Sequence, residues 1–154
     1  MDLNHLAEQI EGSALGQAIR ESTWLFPAIE ATHLLAIAAL GGAVFILAFS
    51  VLGVGLKTPA VEIEKTTRPY MNWSVILLLL TGVLLGASEP VKLINREAFA
   101  VKMIGLLGAL LFSYLIFNPL VRRGNTGAVT RLSALIVIGL WLTVAISGRW
   151  IGFS

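Results

Sequence analysis

The sequence predicts an all-α membrane protein, a four-transmembrane-helix bundle with an N-terminal amphipathic interfacial helix. Of its 154 residues, 56% are hydrophobic and 13% are charged, whereas a soluble domain carries about 25% charged residues. The charges cluster and leave four long runs without Asp, Glu, Lys or Arg: Ala31–Leu56, Pro69–Ser88, Met103–Val121 and Leu132–Gly148. Because a helix needs about 20 residues to cross the hydrocarbon core, these runs predict spans at about 26–53, 70–88, 98–120 and 131–150.

The four runs are continuously apolar and do not alternate between apolar and polar residues, which excludes the strands of a membrane barrel. They leave too little chain for a soluble domain, so we expect residues 1–154 to form a single membrane domain. The absence of cysteine excludes disulfides and thiolate-held metal sites. The net charge of +2 gives no indication of nucleic-acid binding.

The segment before the first span has the pattern of an amphipathic helix over residues 1–22. Leu3, Leu6 and Ile10 share one helical face, and Gly12-Ser13 predicts a break into two pieces. Four acidic residues in this segment argue against a cleavable signal peptide, which needs a basic start and an apolar centre. We therefore expect it to lie in the membrane interface.

The distribution of basic residues predicts the orientation. The loops that follow the first and third spans contain only Glu62 and Glu64 as acids, and they hold six basic residues: Lys57, Lys65, Arg68, Arg122, Arg123 and Arg131. Basic residues in short loops favour the cytoplasmic side. We expect a multi-pass protein of the cell inner membrane with both termini in the periplasm.

Small residues at helical spacing predict how the spans pack, since they let backbones approach closely. Gly105, Ala109 and Ser113 form one such stripe in the third span, and Lys102 leads into it. Residues three or four apart share a helical face. We therefore expect Lys102, and the pair Glu30 and His33 in the first span, to point into the bundle.

This topology gathers a polar cluster at the outer end of the bundle: Glu30, His33, Lys102, Arg149 and Trp150. Ionisable residues inside a membrane are costly and mark functional sites by default. We therefore interpret these five as cofactor-binding residues of a membrane subunit that takes part in electron transfer, with no catalytic residue and no activity of its own.

Haem b and quinone are the two cofactors that suit this cluster. For haem, His33 would be an axial ligand, with the second ligand from Met103, Lys102, water, a folded-back His5 or a second copy of the chain. Arg149 and Lys102 would then pair with the propionates. For quinone, His33 and Lys102 would hydrogen-bond a carbonyl oxygen, while Glu30 exchanges a proton. His33 is also the candidate for a metal ligand, although a di-iron site is excluded because only one Glu-x-x-His motif is present.

Other functions remain open. One alternative is a non-catalytic membrane anchor or assembly protein without a cofactor, in which Glu30 and Lys102 pair to fix helix register. A small solute or metal transporter is a further alternative, although four helices leave little room for paired repeats. The expected partners are the lipid bilayer, further copies of the chain or a larger membrane complex, and an extracytoplasmic protein.

Four stretches of the sequence form a recognisable set: Ala18–Leu35 with its Glu-x-x-His motif, Thr81–Leu85, Ala98–Met103 and Gly148–Phe153 with its Gly-Arg-Trp-Ile sequence. Together they resemble a family of short bacterial four-helix inner-membrane proteins of unknown function. The resemblance points to Glu30, His33, Lys102, Arg149 and Trp150, the residues that topology also gathers. The chain departs from the family pattern after the first span, at Phe49-Ser50-Val51, and at Asn118, where the family often has a histidine. In outline, the family is similar to membrane b-type cytochromes and copper-resistance membrane proteins.

Overall fold

The computed structural model describes residues 2–125 and 127–153, with side chains to residue 150. The described residues form helices and turns and contain no strand. Four segments are long and apolar enough to cross a membrane: Leu25–Leu52, Ala60–Ser88, Glu97–Arg122 and Ala128–Trp150. The predicted all-α, four-span fold is therefore confirmed.

The chain forms eight α-helices within the described residues: α1 (Leu3–Glu11), α2 (Ala14–Glu21), α3 (Leu25–Leu52), α4 (Ala60–Ser88), α5 (Pro90–Ile94), α6 (Glu97–Phe112), α7 (Asn118–Arg122) and α8 (Ala128–Phe153). A π-helical turn, Ser113–Phe117, joins α6 to α7, so these three elements make up the third span. We call the end of the bundle that carries α1, α2 and α5 the terminal end. The end formed by the α3–α4 and α7–α8 connections is the loop end.

The N-terminal segment is in two pieces, as the Gly12-Ser13 break predicts. The hydroxyl of Ser13 caps α2 by accepting a hydrogen bond from the backbone N–H of Gly16 at 3.2 Å. Arg20 then donates to the backbone carbonyl of Ser88 at 3.1 Å, which satisfies one of the carbonyls that the last turn of α4 leaves unpaired. These bonds hold the segment against the terminal end.

The spans pack in a partial ring. α3 lies between α4 and α8, and α6 packs against the other side of α8. α4 meets the third span chiefly through α7, at the loop end. The core between the spans is fully buried and mostly aliphatic, with Leu40, Leu47, Met71, Phe117 and Val137 at its centre.

The outward faces of the spans are apolar as well. Within the most apolar stretch of each span, only 17–33% of the residues are buried inside the protein. Large side chains such as Leu35, Leu80 and Ile104 are more than half exposed. Such a surface is stable only in contact with lipid or further helices.

The π turn in the third span has an identifiable cause. Pro119 has no backbone N–H, and its ring crowds the carbonyl one turn earlier, which disfavours a regular α-helix there. The N–H of Asn118 instead donates to the carbonyl of Ser113, five residues back. On the inner face, the indole N–H of Trp141 donates to the Ser113 hydroxyl at 3.1 Å. This bond fixes the turn against α8.

Candidate functional site

His33 is the buried histidine of the bundle, with only 9% of its surface exposed. It continues the inward stripe of α3 through Ala36 and Leu40 and lies against α4. Gly82 makes room for the ring, because a Cβ atom at that position would lie 3.4 Å from the His33 Cε1 atom. The ring nitrogen Nδ1 is 2.9 Å from the Thr81 hydroxyl.

The hydrogen bonds of Thr81 bear on the tautomer of His33. The Thr81 hydroxyl has one proton and lies 2.7 Å from the carbonyl of Leu77. When that proton is donated to Leu77, the hydroxyl accepts from His33 Nδ1, which then carries the ring proton. The Leu78 carbonyl, 3.2 Å from the same hydroxyl, adds a second acceptor on this side. Nε2 is then left with a lone pair, the arrangement found in histidines that bind a metal or accept a hydrogen bond.

Lys102 extends from α6 toward α8. Gly148 leaves space for its stem, since a Cβ atom there would lie 3.7 Å from Lys102 Cε and 3.9 Å from Nζ. The side chain is half-buried. His33 and Lys102 thus both lie at the terminal end of the bundle, on α3 and α6.

Glu30 does not join them. Its side chain is exposed, so the prediction that Glu30 points into the bundle is wrong. Ile29 lies four residues before His33, on the same face of α3, and it is partly buried. Glu30 lies on a different face of the helix. The predicted pairing of Glu30 with Lys102 is likewise absent from the ion pairs of the described residues.

Arg149 and Trp150 lie on the outer surface of α8, and both are exposed. They line a shallow groove of about 390 Å³. A second groove of about 430 Å³ runs between α6 and α8, with Val101, Ile146 and Trp150 among its lining residues. Arg149 and Trp150 therefore lie at the same end of the bundle as His33 and Lys102, but their side chains face away from the bundle.

The other metal and haem ligands considered from the sequence lie outside this site. His5 is exposed on α1, and Met103 is 46% exposed on α6. Among the described residues, no group of three or more His, Asp or Glu side chains is placed to hold a metal ion.

A second polar cluster at the loop end was missed by the sequence reasoning. Glu64 is 1% exposed and pairs with Arg68, one turn later, and with Arg122 at the end of α7. In the sequence, these three residues entered only the balance of charge that predicts the orientation. The signal that was available is the spacing of Glu64 and Arg68, four residues apart in a helix.

Comparison with known proteins gives one match. A model for a family of unknown function (DUF6644) matches residues 7–154. The chain belongs to this family. No curated protein and no solved structure matches the chain, so the likeness in outline to b-type cytochromes and copper-resistance proteins finds no support. Membership of the family agrees with the four-span fold and brings no activity with it.

Proposed function

We propose that the protein is a membrane subunit that binds a quinone at the terminal end, between His33 and Lys102. The observation that carries this proposal is the contact between His33 Nδ1 and the Thr81 hydroxyl at 2.9 Å. With Nδ1 as the donor, Nε2 is left as an acceptor at the end of the bundle that also holds the half-buried Lys102. A quinone has carbonyl oxygens that accept from an ammonium. Its reduced form has hydroxyls that donate to an imidazole nitrogen, so the pair suits both forms of the ligand.

The surroundings of the pair suit an amphiphile. The groove between α6 and α8 lies at the same end of the bundle, and most of its surface is apolar, which suits a hydrocarbon tail. Trp150 at its rim is 66% exposed, in the position of an interfacial aromatic residue. Glu30, which is exposed, supplies a carboxylate near the surface for proton exchange with water, and Arg149 adds a positive charge at the same level.

Haem b is the second candidate, favoured by the same free Nε2 of His33. An axial bond from Nε2 with Nδ1–H held by Thr81 is a usual arrangement for a haem histidine. The second axial ligand would come from another copy of the chain or from a small molecule. A homo-oligomer or a larger membrane complex would supply it.

A role as a non-catalytic anchor or assembly protein rests on the N-terminal segment. α1 and α2 are fixed to the terminal end through Ser88, and they present Leu3, Ile10 and Leu15 outward. These side chains suit the membrane interface or an extracytoplasmic protein. For all three candidate functions, we propose that the protein lies in the inner membrane with its termini in the periplasm, because basic residues are in excess in the loops after the first and third spans.

The test is quinone binding by the detergent-purified protein, using a short-tailed ubiquinone as the probe. We expect binding to weaken by at least about tenfold in both His33→Ala and Lys102→Met, since each removes one hydrogen bond to the ligand. His5→Ala and Lys92→Met are matched controls on exposed residues and should bind as the wild type does. Wild-type protein that fails to bind the probe, or equal affinity in His33→Ala, would overturn the proposal.

The visible spectrum of the same preparations separates haem from quinone. A Soret band that is present in the wild type and lost in His33→Ala would replace quinone by haem b. A colourless protein that binds no quinone would leave the anchor function as the better interpretation. Co-purification of a partner that is lost when residues 3–21 are deleted would support that function directly.

A further inference from the structure

The cluster at the loop end has an unusual composition, one buried acid with two bases. Arg68 forms a two-pronged contact with Glu64, in which Nε donates to Oε1 at 2.9 Å and Nη2 donates to Oε2. Arg122 approaches Oε1 from α7, with Nη2 at 3.1 Å and Nε at 3.4 Å. One carboxylate and two guanidinium groups leave this cluster with a net charge of +1.

The acid lies inside the protein and the two bases lie at its surface. The Glu64 side chain is 1% exposed, whereas those of Arg68 and Arg122 are 38% and 48% exposed. A guanidinium has five N–H donors, and each arginine directs only Nε and one Nη2 hydrogen at Glu64. Each arginine therefore keeps three N–H donors that are not directed at Glu64, and both guanidinium groups contact the same carboxylate oxygen, Oε1.

The cluster lies where the apolar stretches of two spans end, the level at which we expect lipid headgroups. The charge-free run of α4 begins at Pro69, directly after Arg68, and Arg122 ends the third span. Lys65, Arg123 and Arg131 are exposed around the same end, so the local surface is basic. Basic groups at this level attract anionic lipid headgroups, and a fixed pair of guanidinium groups suits a phosphate because it can donate to two of its oxygens.

We propose that Arg68 and Arg122 together bind the phosphate of an anionic phospholipid, with Glu64 holding the two guanidinium groups in position. This site is separate from the quinone site in both residues and location, and it does not depend on the proposed function. A zwitterionic lipid carries the same phosphate, but its own cation offsets the attraction. The site should therefore prefer phosphatidylglycerol to phosphatidylcholine.

The test measures lipid binding to the full-length protein in detergent by native mass spectrometry, with phosphatidylglycerol and phosphatidylcholine of identical chains. We expect the wild type to prefer phosphatidylglycerol and Arg122→Gln to bind it about tenfold more weakly. Arg122→Gln leaves Glu64 paired with Arg68, so the protein should remain folded. Arg123→Gln removes the same charge from the adjacent exposed residue and should stay within about twofold of the wild type, since it leaves both guanidinium groups of the site in place.

A charge-matched variant separates a defined site from general attraction. Glu64→Gln combined with Arg122→Gln keeps the local net charge at +1, so a purely electrostatic attraction predicts no change, whereas a two-arginine site predicts a loss. Equal weakening in Arg122→Gln and Arg123→Gln, or equal wild-type affinity for the two lipids, would overturn the proposal. Displacement of the lipid by inorganic phosphate at equal concentration would do so too, because the ligand would then be a soluble anion.

Discussion

The two ends of the bundle treat buried polar groups differently. At the loop end, Glu64 is enclosed and its two carboxylate oxygens both accept hydrogen bonds from arginines. At the terminal end, His33 Nδ1 contacts the Thr81 hydroxyl, and neither His33 nor Lys102 forms an ion pair among the described residues. A saturated cluster stabilises a fold, while an incompletely paired one is where a ligand adds most. The comparison leads us to expect that the Glu64 cluster contributes more to the stability of the fold than His33 and Lys102 do.

The strongest test of this difference is to leave Glu64 without partners. Replacing both Arg68 and Arg122 by Gln leaves a buried carboxylate without hydrogen-bond donors from arginine. We expect this double change to lower the free energy of unfolding in detergent by about 3 kcal/mol. Denaturant unfolding followed by tryptophan fluorescence measures this free energy. Adding Glu64→Gln should recover most of the loss, and an unrecovered loss would mean that the arginines act through packing.

The docking of the N-terminal segment is the next test. Gly16 lies so close to α4 that a Cβ atom would come within 2.7 Å of the Ala87 carbonyl oxygen. Gly16→Ala should therefore displace α2 and cost about 1–3 kcal/mol, seen as faster hydrogen exchange in residues 3–21. Gly12→Ala is the control, since its nearest atom is at 3.4 Å. Equal protection in both variants would contradict tight docking.

Removing the acceptor for His33 should have a moderate effect. Thr81→Val keeps the shape of the side chain but leaves the Nδ1–H of a buried ring without its partner, which costs about 1–2 kcal/mol. The tautomer should also become mixed, which nitrogen NMR of the imidazole detects. Thr143→Val changes an exposed threonine that bonds only within its own helix, and it should leave both measurements unchanged.

Lys102→Met should have the smallest effect on stability. It replaces a half-buried ammonium without an ion-pair partner by an apolar side chain of similar length, so we expect a change within about 1 kcal/mol of zero. The same unfolding measurement as for Glu64 checks it. A loss comparable to that of the double arginine variant would show that Lys102 holds the bundle together and would remove the contrast between the two ends.

The fold was predictable because the thickness of the bilayer constrains the length and the composition of each spanning segment. A span must be long and free of charge, and that pattern is visible in the four runs without any knowledge of tertiary contacts. The break at Gly12-Ser13 was visible for a similar local reason. The start of α4 at Ala60 was not, because Glu64 and Arg68 continue the helix beyond the apolar run.

The site was predictable only in part. His33 and Lys102 stood out as ionisable residues near apolar runs. Glu30 was misplaced because a step of three and a step of four both approximate the helical period, and only tertiary packing selects between them. The Glu64 cluster depends on α7 reaching α4, a contact between residues 58 positions apart, which no local pattern reveals.

The π turn at Ser113–Phe117 has a consequence for how this span can vary. Each residue of an α-helix advances the side-chain direction by about 100°, so one residue more or fewer rotates everything beyond it. A π turn accommodates such an extra residue locally, and here it lies between Lys102 and Arg122. Deleting one residue within the turn should therefore restore a regular helix while Arg122 stays against Glu64 and Lys102 keeps its place. The turn thus absorbs a change in length, and the span can gain or lose one residue at this point without rotating either of its ends.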